Sequence, residues 1–355
     1  MKKLFRFLAV LCVSAILISM TACGSPGSAG SEKPGGAPSE DTPITIIANS
    51  AYTADNLLVQ GMLDFAKLVK EKTNGTVTIN VETGGALGIN SYDTLRSVKN
   101  GELPMSELVL VGLEGDEKIM GIYGLPFLCS DYESAQMFWD MSKPYLQKTA
   151  EEKWNQKILY AGPWPFTNLW SQAKIDSIAD MNGLKTRSMD KNNSAITEAT
   201  GGTPYALQFS EVYSSLATNL IDSVWTSTQS AVDGKFWEVL DYYEVFNMAM
   251  SLNAVSINLD VWNKLSPGQQ AALEESAAEI EKKLWAQIVV ADAEYAQTCI
   301  DNGITKNEPS DAFKAELVAI AKDYHAKWLK DSDASVIELY NAYQEAVGGQ
   351  AVHVG

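Results

Sequence analysis

The sequence predicts an α/β protein of two lobes, with one long helix reaching across both. Three observations support this. From Ile44 to Trp225, segments with the two-residue period of strands alternate with segments of helical period. The length after residue 41 suits two lobes rather than one. Between Gly268 and Gly303 the chain carries no proline or glycine, and at 1.5 Å per residue a helix from Ser266 to that point reaches about 50 Å.

The elements follow in order. Ile44 to Ala48 (ITIIA) reads as a strand, and Asn56 to Lys72 as an amphipathic helix stopped by Asn74-Gly75. Val77 to Val81 reads as a second strand. A helix around Ser91 to Lys99, a strand at Leu108 to Val111 and a helix over Tyr132 to Trp154 come next, with Pro144 expected to kink or break the last. Strands at Ile158 to Ala161, Leu184 to Arg187 and Asp222 to Trp225 alternate with short helices. Ser266 and Gln269 form a capping-box pair around Pro267, and Gly303 suits the stop of the long helix. Two more helices are expected, near Asp311 to Leu329 and Val336 to Ala346.

The chain start bears on location. Lys2, Lys3 and Arg6 precede an apolar run from Phe7 to Met20 and then Thr21-Ala22-Cys23-Gly24, the pattern of a secretory leader over residues 1–22. The run is too short for a lasting membrane span. Cys23 after Thr-Ala resembles the lipobox of bacterial lipoproteins, although Met20 stands where leucine is usual. Residues 23–41 are dominated by Gly, Ser and Pro and read as a flexible tether, which makes sense behind a lipid anchor at Cys23. The expected site of action is extracytoplasmic, on the periplasmic side or outer face of the cell membrane.

The formal net charge is −17, and loss of the three positive residues of the leader takes it to −20. Such a surface repels nucleic acid and anionic lipid, so no nucleic-acid partner is expected. Behind the tether only Cys129 and Cys299 remain, and sequence alone does not say whether they pair. With two histidines, His325 and His353, no Gly-x-Ser-x-Gly elbow and no Cys/His metal spacing, neither an enzyme nor a cofactor or metal is expected. Glu114, Asp116 and Glu117 would be the paired carboxylates of a secreted hydrolase, but an acidic loop is more simply a solvated one.

Gly183 to Ser188 (GLKTRS) holds an arginine that emerges from a largely apolar run. On residues alone, Arg187 either pairs internally, with Asp190 or Glu211, or faces a cleft and binds an anion. The stretch from Gly183 to Trp225 resembles the signature region of the solute-binding proteins of tripartite ATP-independent periplasmic (TRAP) transporters. The matching residues are Gly183, Leu184, Lys185 and Arg187; Gly201, Gly202 and Pro204; Phe209, Ser210, Glu211, Val212, Tyr213 and Leu216; and Ile221 and Asp222. Gly84 to Gly88, Leu125-Pro126-Phe127 and Trp262 to Pro267 extend the likeness over nearly all of the chain after the tether.

The resemblance implies a periplasmic-binding-protein-like fold of the class II type that closes on a small organic carboxylate and delivers it to a membrane permease driven by an ion gradient. It implies lobe I over residues 42–163 plus about 250–265 and lobe II over 164–249. The bridging helix would cover 266–303, and helices of 304–348 would pack on the lobes. It also implies that Arg187 makes a bidentate pair with the ligand carboxylate, a role suited to a planar, permanently charged guanidinium. Two departures matter. Thr226 stands where many members have a carboxylate-binding asparagine, with Trp225 beside it, and Trp164 to Asn168 lacks the second arginine that many carry. A dicarboxylate would lack a partner, so a monocarboxylate is expected. Trp164, Phe166 and Trp225 are expected to wall an apolar or aromatic ligand body, and Asn49, Tyr52 and Gly85 to approach it from the other lobe. The alternative receptor, a lipoprotein of an ATP-driven importer, would lack a helix that touches both lobes.

Overall fold

Residues 41–349 are described by a computed structural model; the leader, Cys23 and most of the tether lie outside the described residues. Two mixed sheets form the two lobes. The first contains β1 (Ile44–Asn49), β2 (Val77–Glu82), β3 (Met105–Val109), β4 (Gln156–Pro163) and β10 (Leu252–Asn258). The second contains β5 (Thr167–Ser171), β6 (Lys185–Ser188), β7 (Thr203–Ala206), β8 (Ser223–Thr226), β9 (Tyr242–Ala249) and β11 (Thr305–Asn307). Their strand orders are β2-β1-β3-β10-β4 and β11-β9-β5-β8-β6-β7. In the first, β1 runs parallel to β2 and β3; in the second, β6 runs parallel to β7 and β8. The chain crosses between sheets twice by short links, from β4 to β5 and from β9 to β10.

The third expected strand lies earlier than the sequence suggests. Met105 to Val109 pair with β10, and Leu110 to Leu113 then turn as a 3₁₀ segment. The helix Tyr132–Trp154 runs through Pro144 instead of breaking, because Trp139, Leu146 and Ala150 keep its inner face buried on both sides of the proline.

Pro267–Asp301 is one helix of 35 residues whose capping box joins Ser266 and Gln269. It packs on the first helix, Leu57–Lys72, and on β4 in the first lobe, and on the helix Thr228–Asp233 in the second. Asp292 makes this bridge specific. One carboxylate oxygen accepts from the Thr228 hydroxyl at 2.6 Å and the other from the Tyr132 hydroxyl at 2.7 Å. These donors come from different lobes, and burial raises the Asp292 pKa. Hydrogen bonds to a charged group contribute about 1.5–3 kcal/mol each. Asn192 adds a second tie between lobes by donating to the Gly121 carbonyl at 3.2 Å.

The helices Asp311–Lys330 and Ala334–Ala346 fix the crossing from behind. His325 Nε2 donates to the Pro126 carbonyl at 2.8 Å, which leaves Nδ1 to accept from the Tyr340 hydroxyl at 2.8 Å. Phe127, next to that carbonyl, has φ of 57° and donates its N–H to Met248. Burial lowers the His325 pKa from 6.5 to about 4. A group whose folded pKa is depressed contributes stability above its unfolded pKa and loses it as pH falls toward the folded value. The melting temperature is therefore expected to fall between pH 6.5 and 4 more steeply in the wild type than in His325→Gln; parallel pH profiles would contradict this role.

Candidate ligand-binding site

A cavity of about 400 Å³ lies between the two sheets. It sits where parallel strands end, the position at which open α/β sheets bind ligands. Ala51 and Tyr52 follow β1, Val109 ends β3 and Val111 lies in the 3₁₀ turn after it, Arg187 lies one residue before the end of β6, and Thr226 ends β8. The lining includes hydroxyl groups from Ser210, Thr167, Ser227 and Ser251 and apolar surface from Trp164, Pro165 and Phe209. Among the described residues that line it, Arg187 is the one charged side chain.

Arg187 is only 5% exposed. Its Nε donates to the Leu207 carbonyl at 3.0 Å and one terminal nitrogen reaches the Trp225 carbonyl at 3.5 Å. No carboxylate among the described residues pairs with it. Asp190 instead caps the helix Lys191–Ala199 by accepting from Asn193 N–H at 2.7 Å, and Glu211 accepts from Gln208 N–H at 3.0 Å. Burial lowers the arginine's pKa, and the nearby Tyr92, Asp190 and Tyr52 offset this only in part. A buried cation with carbonyls on one side and a cavity on the other is a preformed seat for an anion.

The family "Bacterial extracellular solute-binding protein, family 7" (DctP) matches residues 48–331. The chain belongs to this family. Its relatives include the C4-dicarboxylate-binding periplasmic protein DctP of Rhodobacter capsulatus, 25% identical over 87% of this chain and 89% of that protein. Two solved structures are similar throughout. One is DctP6 of Bordetella pertussis, a receptor binding pyroglutamic acid (25% identity, TM-score 0.81, covering 85% of this chain and 100% of that one). The other is a TRAP solute-binding protein of an unidentified marine microbe, in complex with pyroglutamate (26% identity, TM-score 0.80, covering 86% and 99%). The family consists of extracytoplasmic solute receptors, and its two-lobed architecture is the one described above.

Within this TRAP receptor the expected site residues separate into two groups. Arg187, Thr226, Trp164 and Tyr52 line one cavity. The Trp164 and Tyr52 rings pack together with centroids 5.0 Å apart and form one apolar wall. The other four side chains are placed elsewhere. Trp225 is 0% exposed and points into the core of the second lobe, where its indole donates to the Thr197 hydroxyl at 3.1 Å. Adjacent residues on a strand face opposite ways, so Trp225 and Thr226 do not share a face. Phe166, between the lining residues Pro165 and Thr167, is turned into the core against Tyr132. Asn49 is buried against Ser106. Gly85 does not meet the cavity; its N–H donates to Ser50 and that of Gly84 to Tyr52, so this turn braces the loop that carries Tyr52.

Sequence reading missed Tyr92, Gln208 and Ser230 as lining residues. It also missed Glu107, a buried carboxylate behind the wall that accepts from Ser50 at 2.5 Å and Asn253 at 2.8 Å. Proximity to the end of β7 was the available signal for Gln208; Tyr92, ten residues past β2, offered none. Glu107 carried no sequence signal, since it lies inside β3.

Asp190 supplies a pH test. Burial pushes its pKa up to about 7, and the Arg187 charge acts in the opposite direction. A bound anion beside Arg187 raises the Asp190 pKa further, so binding takes up a proton and affinity is expected to weaken as pH rises above about 7. Calorimetric titration across pH 6 to 9 is expected to show this slope in the wild type and not in Asp190→Asn, which keeps a good helix cap. The same slope in both proteins would contradict the coupling.

Proposed function

We propose that this TRAP solute-binding protein for small organic acids captures a monocarboxylate with a neutral, partly apolar body, fixed by a bidentate pair between its carboxylate and Arg187. The observation that carries this reading is the buried, carboxylate-free arginine in a cavity with no other charged lining residue. A second carboxylate would find no cation, and an ammonium group would find no carboxylate. The hydroxyl-rich lining suits a body that carries carbonyl, amide or hydroxyl groups. Thr226 supplies one such hydroxyl and the Trp164–Tyr52 pair the apolar wall. The structures that bind pyroglutamate support this reading, because that ligand has one carboxylate and a neutral lactam.

In this reading the open receptor admits the acid to Arg187. Closure at the links β4–β5 and β9–β10 expels water and strengthens the pair. The long helix and Asp292 hold the lobes in register, and the loaded form is handed to the permease, with no chemical step on the ligand. Cys23 serves as a lipid anchor and residues 23–41 as its tether. Lobe I then comprises 42–163 with about 250–265, and lobe II 164–249.

The test is a thermal-shift screen of the tether-free protein with pyroglutamate, orotate, L-gulonate, D-glucuronate, benzoate and succinate, since ligands of the native state raise the melting temperature. At least one monocarboxylate is expected to stabilise, and succinate is not. Truncating a buried charge partner costs about 2–5 kcal/mol, so Arg187→Ala is expected to weaken the hit by roughly 30- to several-thousand-fold in calorimetry. Unchanged affinity in Arg187→Ala, or stabilisation by succinate alone, would overturn the proposal.

A further inference from the structure

Opposite Arg187, the first lobe presents a phenol whose hydroxyl makes no hydrogen bond to any described residue. Tyr92 stands on the turn after Gly88, lines the cavity and is 40% exposed. The turn is held by Asn90, whose side-chain oxygen accepts from Tyr92 N–H at 2.9 Å and whose carbonyl accepts from Asp93 N–H at 2.9 Å. The ring lies directly over Gly112. A Cβ at position 112 would meet Tyr92 Cε1 and Cδ1 at well under 3.0 Å, closer than real Cβ atoms come to any neighbour. The Gly112 backbone is not in the positive-φ region. The main chain there would accept an alanine, and the tyrosine ring alone excludes it. Glycine at 112 is thus a seat for an aromatic ring that overhangs the cavity.

The electrostatics point the same way. Burial raises the Tyr92 pKa, while the Arg187 charge lowers it, which brings the hydroxyl within the field of the guanidinium. The neighbouring phenol, Tyr52, also feels Arg187, but its ring packs on Trp164, whereas the Tyr92 ring stands on Gly112 over the cavity. Two donors, Arg187 from the second lobe and Tyr92 from the first, thus line a single cavity.

We propose that Tyr92, seated on Gly112, is the residue by which the first lobe recognises the bound anion, its hydroxyl donating to the ligand carboxylate opposite Arg187. This rests on the monocarboxylate reading above. It makes the carboxylate the group that both lobes hold at once, so that an acid, and not its apolar body alone, draws the cleft shut. It also makes Gly112 a positioning residue, acting through Tyr92 without touching the ligand.

The experiment is calorimetric titration of wild type, Tyr92→Phe, Gly112→Ala, the double variant and Arg187→Ala with the acid of highest affinity in the panel of pyroglutamate, orotate, L-gulonate, D-glucuronate and benzoate. Tyr92→Phe is expected to bind roughly tenfold to a hundredfold more weakly, the loss of one hydrogen bond to a charged group. Gly112→Ala is expected to lose a similar factor by displacing the ring. The double variant is expected to be no worse than the weaker single one, because both act through one hydroxyl. A merely structural role for Gly112 would instead give losses that multiply. Arg187→Ala separates the two claims: lost binding there with wild-type affinity in Tyr92→Phe overturns this inference alone. Retained binding in Arg187→Ala, or no acid bound at all, overturns the underlying reading and this inference with it. Should Gly112→Ala fail to fold, Tyr92→Phe, which removes one exposed oxygen, still decides the matter.

Discussion

A guanidinium held out of water without a carboxylate is the constraint around which this molecule is arranged. Charge burial is costly unless it is paired, and folding alone would select an internal partner or a neutral side chain at position 187. Asp190 and Glu211, the two acids weighed above as internal partners, are instead committed to capping their own helices. The Leu207 and Trp225 carbonyls hold the arginine in place without neutralising it. In the proposed reading its missing partner is supplied from outside, and binding and folding are thereby linked through one side chain.

The rest of the architecture keeps that seat both open and closable. Strands β1 and β3 of one sheet and β6 and β8 of the other end at the same cavity, which is thereby lined from both lobes. The helix Pro267–Asp301 would be a passive strut if it were only apolar. Asp292 gives it a polar contact with each lobe, and Thr228 is the residue after Ser227, which itself lines the cavity. His325 and the turn at Phe127 stiffen the link from behind.

Much of this was legible in the sequence, for reasons that can be named. The long helix showed itself through uninterrupted length and a Ser266–Gln269 cap, and β1 and β2 through their short β-branched runs between turn signals. β5 and β10 did not, because every residue of TNLWS and LNAVSIN is buried and no alternation survives. In the site, Arg187 was visible as an unusual charge with a family signature around it. Trp225 and Phe166 misled because aromatic character says nothing about which side of a strand a ring takes; a neighbour known to face the cleft would have excluded both. Tyr92 depends on Gly112, twenty residues away in sequence, and such a pairing exists only once the chain is folded.

The central claim is that Arg187 receives a ligand carboxylate, and a crystal structure of the protein with its highest-affinity organic acid tests it most directly. The expected density shows both terminal nitrogens of Arg187 within about 3 Å of the two oxygens of one carboxylate. An acid bound with its carboxylate elsewhere in the cavity, and Arg187 still held only by the Leu207 and Trp225 carbonyls, would contradict it.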